Sequence, residues 1–305
     1  MEEAKEKILL EFGALDIVPA HRKEDAAFEY SPMAKMRAGL RRVRSLKGHA
    51  GERIRVEGLP YESFGEDLTG GRIPEVGSVD ELLRCISLCN GLGVSFNLAL
   101  NGGKFLSEAG IENMCRDPET GVGRVLKELD VSASSHFVKN HVTIYRDELL
   151  DVVEGLYPEL GTVASCVKFT TNGVDRVLRL YERAFERYDH VVALPQHSNI
   201  ELLGNFPDNA GQMMLFPNLG CSEKDTRICK GHYAGLDVPG KYVSPRCSRG
   251  CSNRMDYLID RKEKDLIPLI QMGVRAFKFP RYVAEMGFSM AAELVDLVAE
   301  EVGGA

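Results

Sequence analysis

The chain has 305 residues, of which 44% are hydrophobic and 27% charged, and it carries a formal net charge of -7. This length allows one large domain or two modest ones that bury roughly 75% of the unfolded surface, so the fold needs no staples. The composition excludes a disordered, collagenous or membrane-spanning chain, and the acidic balance argues against a broad face for duplex nucleic acid while leaving a local basic groove open.

Residues 1–50 read as an N-terminal extension, with a mixed-charge start and a basic helical run from Pro32 to Leu46 that holds Arg37, Arg41, Arg42 and Arg44. A solvated amphipathic helix accounts for that run; an anion or partner site is the alternative. From Glu52 onward, strand-like and helix-like segments alternate between Gly, Pro and Asn punctuation. Arg53–Glu57 reads as a strand. Ser78 caps a helix, with Glu81 three residues on as the capping-box partner. Gly93–Leu100 reads as a strand, Cys115–Gly123 as a looser region, Val125–Leu129 as a helix, and the neighbourhood of Val131 as a short strand. Then follow a strand at His141–Tyr145, a helix at Asp147–Tyr157, a strand at Gly161–Phe169, a helix at Val174–Arg187 and strands at His190–Leu194 and Gly211–Phe216. Lys262–Met272 is a helix ended by Gly273, Val274–Phe279 a strand, and a last helix runs from about Ala284 to Val302. Seven or eight mostly apolar strands alternating with helices imply a parallel sheet closed as a TIM-like (β/α) barrel over residues 51–305.

In such a barrel the chemistry sits where strands end, at the C-terminal rim. Those positions carry Gly71-Arg72, Asn101, Asn172, Gln196-His197, the segment from Asn218 to Cys221, and the stretch from Lys278 to Tyr282, which includes Arg281. Eight cysteines are too few for a small secreted disulfide scaffold, and the start MEEAKEKILLEFGALD has neither an apolar signal core nor a basic transit helix. A reducing, cytoplasmic setting is expected. Cys85 and Cys89 share one helix face, and with Cys166 they read as small buried hydrophobes. Cys221, Cys229, Cys247 and Cys251 are bunched in a loop over residues 218–254, among Gly, Pro and Ser, where packing explains them poorly. Thiolates gathered in a reducing compartment point to a metal. Only Cys247 and Cys251 approximate a zinc knuckle, so the spacing leaves a [4Fe–4S] cluster, zinc and unligated cysteines all open.

Several segments resemble the collagenase-like peptidase family of unknown catalytic type (family U, number thirty-two), over about Val56 to Tyr282. They are Gly70-Gly71-Arg72 with SVDEL, a strand ending in Asn101, VTIYRDELLDVVEGLYPELGTVASCVKFTTN, HVVALPQHSNIELL, the cysteine run, and DLIPLIQMGVRAFKFPRY. The resemblance implies a barrel with a [4Fe–4S] cluster on the four cysteines. It also implies oxygen-independent hydroxylation of a small-molecule or lipid-like ring, with prephenate or a similar acid as oxygen donor. A dianionic donor needs fixed cations, for which Arg72, Lys278 and Arg281 are the candidates. His197 and His232 are candidate proton carriers and Lys278 a catalytic cation, while Asn101, Ser165 and Asn172 would orient the bound acid. The closing strand departs from the family, since Phe279-Pro280-Arg281 lacks the usual acidic residue. Two other readings stand beside this one. One is the hydrolase of the family name, for which no nucleophile motif is present. The other is a non-catalytic subunit paired with a homologous partner chain.

Overall fold

The computed structural model describes residues 7–13, 37, 39–41, 51–58, 78–101, 106–170, 173–218, 257–279 and 284–303. The strands are β1 (Lys7–Gly13), β2 (Gly51–Gly58), β3 (Ser95–Leu100), β4 (His141–Ile144), β5 (Gly161–Ala164), β6 (His190–Val192), β7 (Met213–Leu215) and β8 (Ala276–Phe279). They close into a barrel in that order. The pairs β1–β8, β3–β4, β4–β5, β5–β6 and β7–β8 are parallel. The fold is thus the expected TIM-like (β/α) barrel. Backbone packing divides the chain into two compact units, one of Met1–Val56, Pro195–Ser222 and Cys251–Ala305, the other of Glu57–Leu194 and Glu223–Gly250.

The second of these units carries α1 (Val79–Gly91), α2 (Glu108–Arg116), α3 (Gly121–His136), α4 (Asp147–Leu156) and α5 (Val174–Arg187). Three of the helices begin on a side chain that accepts from the third residue on: Ser78 from Glu81 N, Ser107 from Gly110 N, and Thr120 from Gly123 N. In α5 the residues Val177, Tyr181, Ala184 and Phe185 are buried, a stripe at helical spacing. Tyr181 stacks on Phe169 with ring centroids 4.0 Å apart, and its hydroxyl oxygen accepts from Leu194 N at 3.2 Å.

Strand alternation sorts this unit's sheet into two faces. Phe96, Leu98, Leu100, Val142 and Ile144 form an apolar face, while Asn97, His141 and Thr143 lie on the other, all buried. Asn97 Nδ2 donates to Thr143 Oγ1 at 2.8 Å, so the polar face is tied across strands. Gly161 is the register partner of His141, and a Cβ there would run into the imidazole Cδ2 and Nε2. Gly161→Ala should therefore cost about 1–3 kcal/mol, read as a lower urea midpoint.

The other unit holds β1, β2, β7 and β8 with α6 (Ile200–Leu203), α7 (Ile267–Met272) and α8 (Ala284–Gly303). Leu10 and Phe12 are level with Phe277 and Phe279 on one face, and Phe12 stacks on Phe279 at 5.0 Å. The opposite face carries Leu9 and Glu11 level with Ala276 and Lys278. Gly273, at φ +117°, ends α7 as the sequence predicts.

Four elements differ from the sequence reading. The segment set apart as an N-terminal extension supplies β1, a full member of the barrel. Val131 lies inside α3 rather than in a strand, because the helix begun at Gly121 runs through it to His136. The region around Cys115 read as loose contains α2, whose Ile111 and Cys115 face the core. The apolar run from Gly161 to Phe169 is a strand only to Ala164; Ser165 then accepts from Val167 N at 3.4 Å, starting a 3-10 turn that holds Cys166.

Candidate functional site

A lone charge in an otherwise apolar strand must find a partner, because an isolated buried ion is too costly to keep. Glu11 in KILLEFG is fully buried, and Arg55 in β2 and Lys278 in β8 are 2% and 4% exposed. Lys278 Nζ donates to Glu11 Oε1 at 2.6 Å, and Arg55 Nη1 to Glu11 Oε2 at 3.3 Å. Each carboxylate oxygen thus takes a separate cation. Glu11 and Lys278 are register partners on the β1–β8 ladder, which fixes that pair through the backbone. All three residues sit toward the C-terminal ends of their strands, the end at which barrels of this kind do chemistry. Buried ion clusters add little to stability compared with apolar packing. A preorganised charge set in a dry site is instead a usual means of holding an anionic ligand.

The connection after β6 brings a second polar group to the rim. His197 ends the 3-10 turn Pro195–His197 and is 7% exposed. Burial pushes its imidazole down to about 4, so it is neutral at neutral pH. The flanking chain is held from below by a π-helical turn, Lys262–Leu266. Asp265 Oδ1 accepts from Ile200 N at 3.2 Å, Asp265 Oδ2 accepts from Arg261, and Arg261 Nη2 donates to Ser198 O at 2.9 Å.

The third rim feature follows β7. Ile259 N donates to Pro217 O at 3.0 Å. Ile259 is therefore held beside Pro217. Every cysteine of the 218–254 loop falls between those two anchors.

Of the expected site residues, Lys278 and His197 lie at this unit's rim. In the other unit, Asn101 directly follows β3, with a buried Oδ1 that has no hydrogen-bond partner among the described residues. Ser165 is buried and caps the 3-10 turn. Arg72, Asn172, His232, Arg281, Cys221, Cys229, Cys247 and Cys251 lie outside the described residues, as does most of the basic run from Pro32 to Leu46. Among the described residues, no group of three or more His, Cys, Asp or Glu is placed to hold a metal ion. Cys85, Cys89, Cys115 and Cys166 are buried thiols. Burial pushes the Cys89 thiol far up and that of Cys115 to about 12, which suits inert packing residues. Glu11 and Arg55 were not expected; Glu11 signals itself as a charge inside the apolar run of β1, whereas Arg55 stands among the other charges of GERIRVEG and nothing in the pattern sets it apart.

Among the described residues no helix is long and apolar enough to cross a membrane. No protein-family model matches the chain, and neither does any curated protein. Among solved structures, the chain is similar to the U32 peptidase Mk0906, at 13% identity and TM-score 0.45 over 92% of this chain and 95% of that one. It is also similar to dihydropteroate synthase from Xanthomonas albilineans, at 12% identity and TM-score 0.42 over 95% and 91%. An alpha-amylase from Malbranchea cinnamomea matches at 8% identity and TM-score 0.45, over 97% and 76%. At these identities the likeness is one of fold.

Proposed function

We propose that this chain is an iron–sulfur barrel protein that acts on a small organic acid, in the oxygen-independent hydroxylation that its sequence resemblance implies, with a prephenate-like acid as oxygen donor and a ring as acceptor. The observation that carries the reading is the buried Glu11–Arg55–Lys278 cluster. Two cations held on one carboxylate near the barrel rim form a positive floor for a carboxylate ligand. Glu11 fixes the two cations in place. His197, kept neutral by burial, is able to accept a proton near the rim.

Four thiolate donors suit a [4Fe–4S] cluster, and in the sequence all four fall between Pro217 and Ile259, whose backbones are hydrogen-bonded to each other. Cys221, Cys229, Cys247 and Cys251 would hold that cluster, which supplies one-electron redox chemistry when bound.

Anaerobic purification, followed by an absorption spectrum with iron and sulfide quantitation, tests the proposal. A brown protein holding about four irons per chain is expected. Cys247→Ala should bleach it, and Cys85→Ala, which removes a buried thiol of α1, should not. A colourless, iron-free protein that holds zinc would overturn the iron–sulfur reading.

A further inference from the structure

Among the described residues, the fully buried asparagines Asn90, Asn97 and Asn140 have their side-chain amides paired. Asn140 Oδ1 accepts from Phe96 N at 2.8 Å and from Asn90 Nδ2 at 2.9 Å, while its Nδ2 donates to Leu129 O at 2.8 Å. Asn97, also fully buried, donates from Nδ2 to Thr143 Oγ1 at 2.8 Å, and its Oδ1 lies 3.1 Å from the same hydroxyl, from which it accepts. Asn218 breaks this pattern. It is 1% exposed, and among the described residues neither Oδ1 nor Nδ2 has a hydrogen-bond partner. A buried amide left open at both ends is costly, and in native proteins such a group calls for a specific explanation.

The position of Asn218 supplies one. β7 runs beside β8, with Met214 level with Ala276 and Leu215 level with Phe277. Asn218 follows β7 at the end of the sheet where Lys278 meets Glu11. Its backbone is held in place next to the Pro217–Ile259 hydrogen bond, so the amide is anchored while its polar atoms remain open.

We propose that Asn218 is a specificity-determining residue that hydrogen-bonds a hydroxyl group on the organic acid drawn to the cations of β2 and β8. This inference rests on the acid-binding reading above. The carboxamide presents an acceptor and a donor side by side. A carboxylate alone offers only acceptors and would satisfy Nδ2 but not Oδ1. A hydroxyl both donates and accepts, so the ligand that answers the whole set is a hydroxy acid: carboxylate toward Lys278 and Arg55, hydroxyl toward Asn218. A site built to pair with a hydroxyl discriminates strongly against the analogue that lacks it.

The test uses the full chain and two probes, phenyllactate and 3-phenylpropionate, which differ by one hydroxyl. Calorimetric titration of the wild-type protein should favour phenyllactate by at least about tenfold. Asn218→Leu should erase that preference while retaining 3-phenylpropionate binding. Without ligand, Asn218→Leu should melt at or above the wild-type temperature, because no bond within the protein is lost. Asn218→Ala serves as the smaller second variant, and it too should lose the preference. Equal binding of the two acids by the wild-type protein would overturn the role of Asn218 alone, as would unchanged preference in both variants. A melting temperature lowered by several degrees in both variants would do the same, since it would show the amide paired within the protein. Failure of the wild-type protein to bind either acid would overturn the acid-binding reading and this inference with it.

Discussion

Glu11→Gln is expected to destabilise the protein by about 3–5 kcal/mol, read as a drop in the denaturant midpoint at unchanged slope. The substitution keeps the shape of the side chain but removes a carboxylate charge that Lys278 and Arg55 share. Two cations with side chains only 5% and 3% exposed would then face each other. Lys278→Met should cost less, about 1–3 kcal/mol, because Glu11 keeps its contact with Arg55. The ordering is the informative part, since it depends on the carboxylate being shared. Replacing all three by Glu11→Leu, Arg55→Met and Lys278→Met should recover much of the loss and abolish acid binding. Equal midpoints for wild type and Glu11→Gln would mean that the cluster contributes nothing to folding.

Acid should destabilise the protein through His197. Its folded value of about 4 lies below the ordinary imidazole value of 6.5 because burial penalises the imidazolium. Between those two values the unfolded chain binds more protons than the folded one, so stability rises with pH across the window. The contribution is complete above pH 6.5 and is lost as pH falls toward 4, amounting to about 3 kcal/mol. Urea midpoints measured from pH 7.5 to 4 should show that slope, and His197→Gln should flatten it. A His197→Gln profile parallel to wild type would show that the imidazole is hydrated in the folded protein.

Helix α5 was legible to the residue, because its buried positions repeat at helical spacing and Gly173 and Tyr188 bound it. The cap at Ser78 and the stop at Gly273 were equally plain, each being local chemistry. β1 was hidden by its context: mixed charges precede it, and Glu11 breaks the apolar run that would have marked a buried strand. The same Glu11, once paired across the ladder with Lys278, becomes the centre of the candidate site. Periodicity assigns a face and a length, but it does not see a partner 267 positions away. That separation is also why Lys278 was expected as a rim cation while the carboxylate beneath it was missed. The end of β5 shows a different limit. Buried residues continue from Ala164 through Phe169 in either a strand or a tight turn, so hydrophobicity alone could not place the break at Ser165.

The pairing of β1 with β8 has a consequence for biosynthesis. During translation Glu11 emerges 267 residues before Lys278, so the carboxylate and an open edge of β1 wait while the intervening chain is made. At about 5–20 residues per second that interval is on the order of 10–60 seconds. An uncovered strand edge is a site for association with other chains. Glu11 places a charge on that waiting strand, and a charge there discourages pairing with the wrong neighbour until Lys278 arrives. The residue at the centre of the finished site would thus also guard the nascent chain before the barrel closes.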